Sequence, residues 1–234
     1  MMQKGKNIAI IVAAGKGKRM GRELNKQYIL LENKPIVAYT LEVFEESEHV
    51  DEVILVVGEN EMSFAQDNII EKYGFKKIKQ VVSGGKERQD SVYRGLLAIK
   101  EQCEIVVIHD GARPFLEKEL LKKAVETAEN IGAAIIAVPV KDTIKVVSEE
   151  MEVIDTPNRS LMWAVQTPQV FRYALLKEAY GRLIEEGLCA TDDAMVVEKY
   201  GHTVKVIQGN YENIKITTPE DLVVAEGILR KEKR

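Results

Sequence analysis

The stretch Ala13-Ala14-Gly15-Lys16-Gly17-Lys18-Arg19-Met20-Gly21 crowds glycines and cations directly after the apolar run Ile8–Val12. Glycine backbone at the end of a predicted strand presents N–H groups, and the cations add full charges. Together they suit a triphosphate whose charge grows at the bridging oxygen as pyrophosphate departs. Lys26 follows within reach of the same centre. Other chemistries share this outline. A P-loop needs G-x-x-x-x-G-K-[ST], yet Gly17-Lys18 is followed by Arg19 and Val12 stands where the first glycine belongs. The magnesium-binding hydroxyl is missing. The dinucleotide fingerprint fits poorly as well. Gly15-Lys16-Gly17 is followed by Gly21, one residue late, and Val53–Val57 runs into Gly58, with Glu59 the nearest acid. A turn with a solvated basic face is the remaining local reading.

These residues need a frame. Short, nearly continuous apolar runs at Ile8–Val12, Val53–Val57, Ile78–Val82, Ile105–Ile108, Ala134–Val138 and Val204–Ile207 read as strands buried on both faces. Between them lie helical patterns. Pro35 opens one with Ile36, Val37, Tyr39 or Thr40, Leu41, Val43 and Phe44 on one stripe, and a second spans Ser91–Gln102. In Thr217-Thr218-Pro219-Glu220-Asp221-Leu222, Thr218 is the expected N-cap, Pro219 the first helical residue and Asp221 a short capping-box acid. Alternation of this kind implies an α/β fold, Rossmann-like, with three α/β/α layers and a mostly parallel sheet. Asp142–Arg159 breaks the rhythm and reads as two alternating strands around Ser148-Glu149-Glu150. A lone hairpin is marginal, so it either lies along the sheet or projects and packs on a second subunit.

The chain has 234 residues and is 45% hydrophobic, enough for one full core, and is read as one domain over residues 1–234 with an arm at about 141–160. Thirty-three basic against 37 acidic residues leave a net charge of −4, which argues against nucleic-acid or anionic-membrane partners. Cys103 and Cys189 are expected as reduced thiols of a cytoplasmic protein, and His49, His109 and His202 lack zinc-ligand spacing. The start resembles neither a membrane span nor a signal peptide.

Seven ordered segments carry a resemblance: AAGKGKRMG…NKQY, SGGKERQDSV, HDGARPF, KDTIK, NRSLMWAVQTPQVF, TDDA and NIKITTPEDL. Together they resemble the 2-C-methyl-D-erythritol 4-phosphate cytidylyltransferase family of the non-mevalonate isoprenoid pathway. That resemblance implies a homodimeric nucleotidyltransferase using CTP as co-substrate and Mg2+, in which a phosphate oxygen of the sugar-alcohol phosphate attacks the α-phosphorus in line. It implies Arg19, Lys26 and Lys215 as catalytic cations and Asp110 as the metal ligand. Ala13, Ala14, Gly15, Gly17, Gly84, Gly85, Ser91 and Gly111 are implied for the nucleotide, with the cytosine over SGGKERQDS. Arg113, Thr143, Arg159, Thr167, Thr191 and Asp192 are implied for the sugar phosphate, Thr143 and Arg159 on an arm that enters the other subunit's site. His109 is read as structural. Lys16, Lys18 and Arg22 stay open between helper and solvated charge.

Departures are small. Gly111 stands where the family favours alanine, Met162 where leucine precedes the tryptophan, Val165 where a small residue precedes QTPQ, and Lys86 where some members carry an acid. Competing readings are a ribitol 5-phosphate cytidylyltransferase, a transferase for another sugar phosphate and base, a nicotinamide-dependent oxidoreductase, and a silent nucleotide-binding regulator. The nicotinamide reading lacks the third-glycine spacing and a convincing ribose acid.

Overall fold

The computed structural model describes residues 5–15, 25–100 and 102–232, and all side chains within them except those at positions 26 and 232. Its elements in chain order are β1 (Lys6–Ala13), β2 (Leu30–Leu31), β3 (Lys34–Pro35), α1 (Ile36–Glu45), β4 (Glu52–Val57), α2 (Met62–Ala65), β5 (Ile78–Ser83), α3 (Arg88–Ala98), β6 (Cys103–Asp110), α4 (Lys118–Ile131) and β7 (Ala133–Pro139). Then follow β8 (Val146–Val147), β9 (Val153–Asp155), β10 (Trp163–Arg172), α5 (Tyr173–Glu185), α6 (Asp193–Lys199), β11 (Lys205–Gln208) and α7 (Pro219–Glu232). Seven strands form one sheet in the order β11-β7-β10-β6-β1-β4-β5.

Each expected apolar run is a strand of this sheet, and alternation along it divides the core. Ala9, Ile11 and Ala13 of β1, with Val53, Leu55 and Val57 of β4, pack beneath α1 and α4. Ile8 and Ile10, with Ile54 and Val56, pack beneath α3 and α5 on the other face. Burial on both faces explains why these runs lack polar alternation. α4 shows the complementary helical rule, burying Leu121, Ala124, Val125 and Ala128 along one stripe.

One strand lies outside the expected six. β10 runs antiparallel to both β6 and β7, so six strands point one way and one points back. Its apolar signal is interrupted by Gln166, Thr167, Pro168 and Gln169, with a cis Thr167–Pro168 bond and a register shift between Val165 and Gln169. Those polar side chains are buried and hydrogen-bonded, so a polar run in sequence becomes strand interior in space.

Helix boundaries shift for local reasons. α3 starts at Arg88 rather than Ser91, where the Glu87 N–H donates to the Asp90 carboxylate, and it ends at Ala98 because Ile99 is extended. Pro35 is the N-cap of α1 rather than its first helical residue. At α7 the expected short acid works: Asp221 Oδ2 accepts from the N–H groups of Thr217 and Thr218 at 2.7 and 2.9 Å. The arm forms its own two-stranded sheet, hydrogen-bonded to no strand of the main one, and its pairing covers only Val146–Val147 and Val153–Asp155.

Helix α3 sits so close to β1 that a Cβ on Gly95 would lie 2.6 Å from Ile10 Cγ2. Gly95→Ala should therefore destabilise the fold by about 1–3 kcal/mol despite alanine's better helix propensity. A urea midpoint equal to that of wild type would show that the helix can shift away.

Candidate active site

Four parallel strands end side by side. The register pairs Val12 with Asp110, Ala13 with Val57 and Val57 with Ser83, so Ala14, Gly58, Gly84 and Gly111 leave the sheet at one level. β1 is followed to one side by β4 and β5, and the chain then crosses back to place β6 on the other side of β1. Carboxyl ends at such a reversal are where open α/β sheets bind ligands. A cleft of about 880 Å³ opens here, lined among others by Ala13, Ala14, Gly15, Gly84, Gly85, Ser91, Asp110 and Lys215.

The glycines allow close approach. A Cβ on Gly84 would lie 2.3 Å from the Ala14 Cβ, and one on Gly85 would lie 2.2 Å from the Asp90 Cβ. The turn holds itself: Gly84 N–H donates to the Val57 carbonyl, Gly85 N–H to Ser91 Oγ, and Arg94 Nη1 to the Gly84 carbonyl. Ser91 Oγ also donates to the Glu87 carbonyl, so its hydroxyl supports the turn from inside. Gly111 continues the β6 ladder to the Val12 carbonyl, and its own carbonyl accepts from Thr40 Oγ1.

Asp110 is the electrostatic centre. Its Oδ1 accepts from Arg88 Nε at 3.0 Å and its Oδ2 from Lys215 Nζ at 2.7 Å, while Arg113 Nε lies 3.8 Å from Oδ2. Burial alone would raise the Asp110 pKa, but Arg88, Lys215 and Arg113 overcome it and hold the carboxyl well below the usual carboxylate range. Arg88 continues inward. Its Nη1 donates at 2.9 Å to Asp193, which is fully buried and also accepts from Tyr180 Oη at 2.6 Å. Burial works against the Arg88 charge, and the two carboxylates more than restore it, pushing its pKa up. Arg88 and Lys215 line the cleft, so Asp110 brings two cations to the place where an anionic ligand would sit.

Beneath Asp110 a second chain of bonds fixes the strand ends. His109 Nε2 faces the Arg113 carbonyl at 3.1 Å, so it carries the hydrogen, and Nδ1 accepts from Thr167 Oγ1 at 3.0 Å. That hydroxyl in turn accepts from the Asp110 N–H at 3.1 Å. Burial lowers the His109 pKa to about 4, in keeping with a structural role. Thr167 is buried in this chain, and Arg113 Nη1 donates to the Asn213 carbonyl at 2.7 Å beside the segment that delivers Lys215. Ile216 N–H pairs with the Ala112 carbonyl, which brings the C-terminal motif to the β6 end.

The remaining residues of interest lie apart from the cleft lining. Thr143 and Arg159 are exposed on the arm, where Arg159 Nη1 donates to the Lys141 carbonyl at 2.8 Å. Thr191 is exposed before α6, and Asp192 caps that helix through Met195 N–H while accepting from Gln169 Nε2. Gly17 and Arg19, with Lys16, Lys18 and Arg22, lie outside the described residues, as does the Lys26 side chain.

Two residues with no expectation attached to them organise the site. Arg88 stands inside SGGKERQDSV but carries no local signal that it reaches Asp110 and Asp193. Glu61 accepts from the Gly58 N–H at 2.9 Å, from Gln27 Nε2 at 3.3 Å and from Asn25, fastening the segment on both sides of Lys26 to the end of β4.

Arg88→Ala would strand the buried Asp193 carboxylate, and a loss of about 3–5 kcal/mol in urea unfolding is expected. A loss under 1 kcal/mol would mean that Tyr180 alone satisfies Asp193. His109 gives a pH signature. Its folded pKa is depressed, so its contribution is present above about pH 6.5 and is lost as pH falls toward 4. The stability of His109→Asn should fall less over that window than that of wild type. Parallel slopes in urea midpoints at pH 7, 5.5 and 4.5 would contradict the assignment.

Comparison with known proteins agrees over nearly the whole chain. The family model IspD, 2-C-methyl-D-erythritol 4-phosphate cytidylyltransferase, matches residues 7–231. The 2-C-methyl-D-erythritol 4-phosphate cytidylyltransferase of Alkaliphilus metalliredigens is 58% identical over 224 residues, covering 96% of this chain and 93% of that protein. The crystal structure of 4-diphosphocytidyl-2C-methyl-D-erythritol synthase from Anaerococcus prevotii superposes with a TM-score of 0.87 at 35% identity, covering 97% of this chain and 96% of that one. The Francisella tularensis 2-C-methyl-D-erythritol 4-phosphate cytidylyltransferase gives 0.81 at 30% identity, with 95% and 99% coverage.

Proposed function

We propose that this chain, which belongs to the 2-C-methyl-D-erythritol 4-phosphate cytidylyltransferase family, joins CTP to 2-C-methyl-D-erythritol 4-phosphate and releases pyrophosphate. The product is 4-diphosphocytidyl-2-C-methyl-D-erythritol. The observation that carries the reading is the cluster of Asp110, Arg88 and Lys215 at the carboxyl end of β6, in a chain 58% identical to a relative of that name.

The attacking group is the substrate's own phosphate. A phosphate monoester has its second pKa near 6 and is mostly dianionic at neutral pH, so no general base is needed. The work left to the protein is positioning and neutralisation of charge on the α-phosphoryl group. Lys215 is assigned to that group, and the family resemblance assigns Arg19 and Lys26 to it as well. Ala13, Ala14, Gly15, Gly17 and Gly111 form the nucleotide cradle. Gly84 and Gly85 support the base, backed by Ser91. Arg113, Thr167, Thr191 and Asp192 are assigned to the sugar-phosphate side.

Magnesium fits this donor set as an ion that arrives on the triphosphate. No group of three or more His, Cys, Asp or Glu suited to a metal occurs among the described residues, and the Asp110 oxygens contact Arg88 and Lys215. Magnesium is commonly bound by one carboxylate together with substrate phosphates, and Asp110 would supply that carboxylate. When bound, the ion would add Lewis-acid neutralisation of phosphate charge.

One domain over residues 1–234 and a homodimer complete the reading, with Thr143 and Arg159 of each arm entering the partner's site. Support comes from exposed apolar side chains on the arm, Val146, Val147, Val153 and Ile154, and just past it, Leu161 and Trp163, since apolar surface gathered in one region is what association sites present. A cytoplasmic location belongs to the same reading; Cys103 and Cys189 are free, and burial pushes the Cys103 thiol up to about 12.

Purified protein with CTP, magnesium and methylerythritol phosphate should release pyrophosphate. Release with ribitol 5-phosphate alone would overturn the substrate assignment. Lys215→Ala should lower turnover by about 10²–10³, as loss of an oxyanion-hole donor does; near-normal turnover would remove Lys215 from the reaction. Mixing Arg159→Ala with Lys215→Ala subunits should restore activity, since one intact cleft then meets one intact arm. No gain on mixing would place both residues in the same subunit's site.

A further inference from the structure

We propose that Gln89 is a positioning residue for the sugar-alcohol phosphate, fixing the loop that carries Thr191 and Asp192; this rests on the sugar-phosphate side proposed above. The loop from Leu188 to Asp192 has no regular secondary structure, so no ladder holds it in place. Gln89 is half-buried in the first turn of α3 and grips the loop at two points. Its Oε1 accepts from the Ala190 N–H at 2.9 Å, and its Nε2 donates to the Leu188 carbonyl at 3.3 Å. Its neighbour Arg88 holds Asp193, the first residue of α6, just past the end of the loop.

A second clamp comes from the sheet. Gln169 of β10 donates to Asp192 Oδ2 and accepts from the Ala194 N–H, both at 2.9 Å. These grips land on Leu188, Ala190, Asp192, Asp193 and Ala194, on both sides of Thr191, whose side chain is exposed with its Oγ1 3.6 Å from Met195 Sδ. Consecutive residues of α3 tie the Asp110 side of the cleft to the Thr191 loop, Arg88 through two ion pairs and Gln89 through two neutral bonds. Gln89 is the one of the pair that can be altered without leaving a buried charge unpaired.

Steady-state kinetics of Gln89→Ala should show a KM for methylerythritol phosphate raised about threefold to tenfold, the scale of lost neutral hydrogen bonds. The KM for CTP and kcat should stay within about twofold of wild type, and the urea midpoint should be close to wild type. Gln89→Glu keeps the acceptor for Ala190 but turns a carboxylate oxygen toward the Leu188 carbonyl, so it should raise the same KM at least as much as the alanine variant. Should the alanine variant fold poorly, this variant carries the test. Thr191→Val is the reference and should raise the same KM. If Thr191→Val raises it and neither Gln89 variant does, the positioning role is overturned while the function stands. If none of the three raises it, the placement of the sugar phosphate fails and the inference falls with it. Equal losses in both KM values and kcat would mark Gln89 as merely structural and overturn the proposal.

Discussion

A carboxylate at the end of a buried strand is tolerable only when positive charge comes to it, and Asp110 draws that charge from three separate places. Arg88 comes from the start of α3, Arg113 from the turn after β6, and Lys215 from the segment before α7. Desolvation of the carboxyl and attraction to the cations oppose each other, and the attraction prevails. The geometry of the cleft follows from this constraint. Elements more than a hundred residues apart must meet at one carboxyl group, and the polar layer beneath it, His109, Thr167 and Asn213, keeps the strand ends from sliding.

Around that centre, glycine backbone packs directly against neighbouring Cβ atoms. Gly84 meets Ala14 and Gly85 meets Asp90 at distances that exclude a Cβ, while Gly111 would bring one to 3.0 Å from the Ala13 Cβ. The sheet supplies alignment, the glycines supply proximity, and the cations supply charge. Arg88 reaches past Asp110 to the fully buried Asp193 and Tyr180, so the electrostatics of the cleft are anchored in the core under α5 and α6 rather than on a surface loop. A pair so anchored holds its geometry better than a solvated one, which spends much of its attraction on solvent and side-chain entropy.

Much of the scaffold was legible because its rules are local. Ile8–Val12 and Ile105–Ile108 read as doubly buried strands and are, and Thr218-Pro219-Glu220-Asp221 announced a helix start that Asp221 indeed caps. β10 was hidden because Gln166, Thr167, Pro168 and Gln169 spoil the apolar pattern. Their buried polar atoms are satisfied by Asn210, His109, Asp192 and Ala194, partners that no window of sequence contains. Arg88 and Glu61 went unnoticed for the same reason: each owes its importance to a remote acid or amide. The ordered motifs did name Asp110 and Lys215, yet nothing in either motif shows that they touch.

The sequence by itself determined the alternation of strands and helices, the glycine-and-cation loop and, through seven ordered segments, the family. Those properties reside in short stretches, where hydrophobic period, capping and residue type act over a few positions. Only the tertiary structure decided that β10 runs against its neighbours, that the arm stands off the main sheet, and that Asp110 is shared among Arg88, Arg113 and Lys215. Charge pairing and desolvation depend on distance in space. That distance exists only once the sheet has aligned its strand ends.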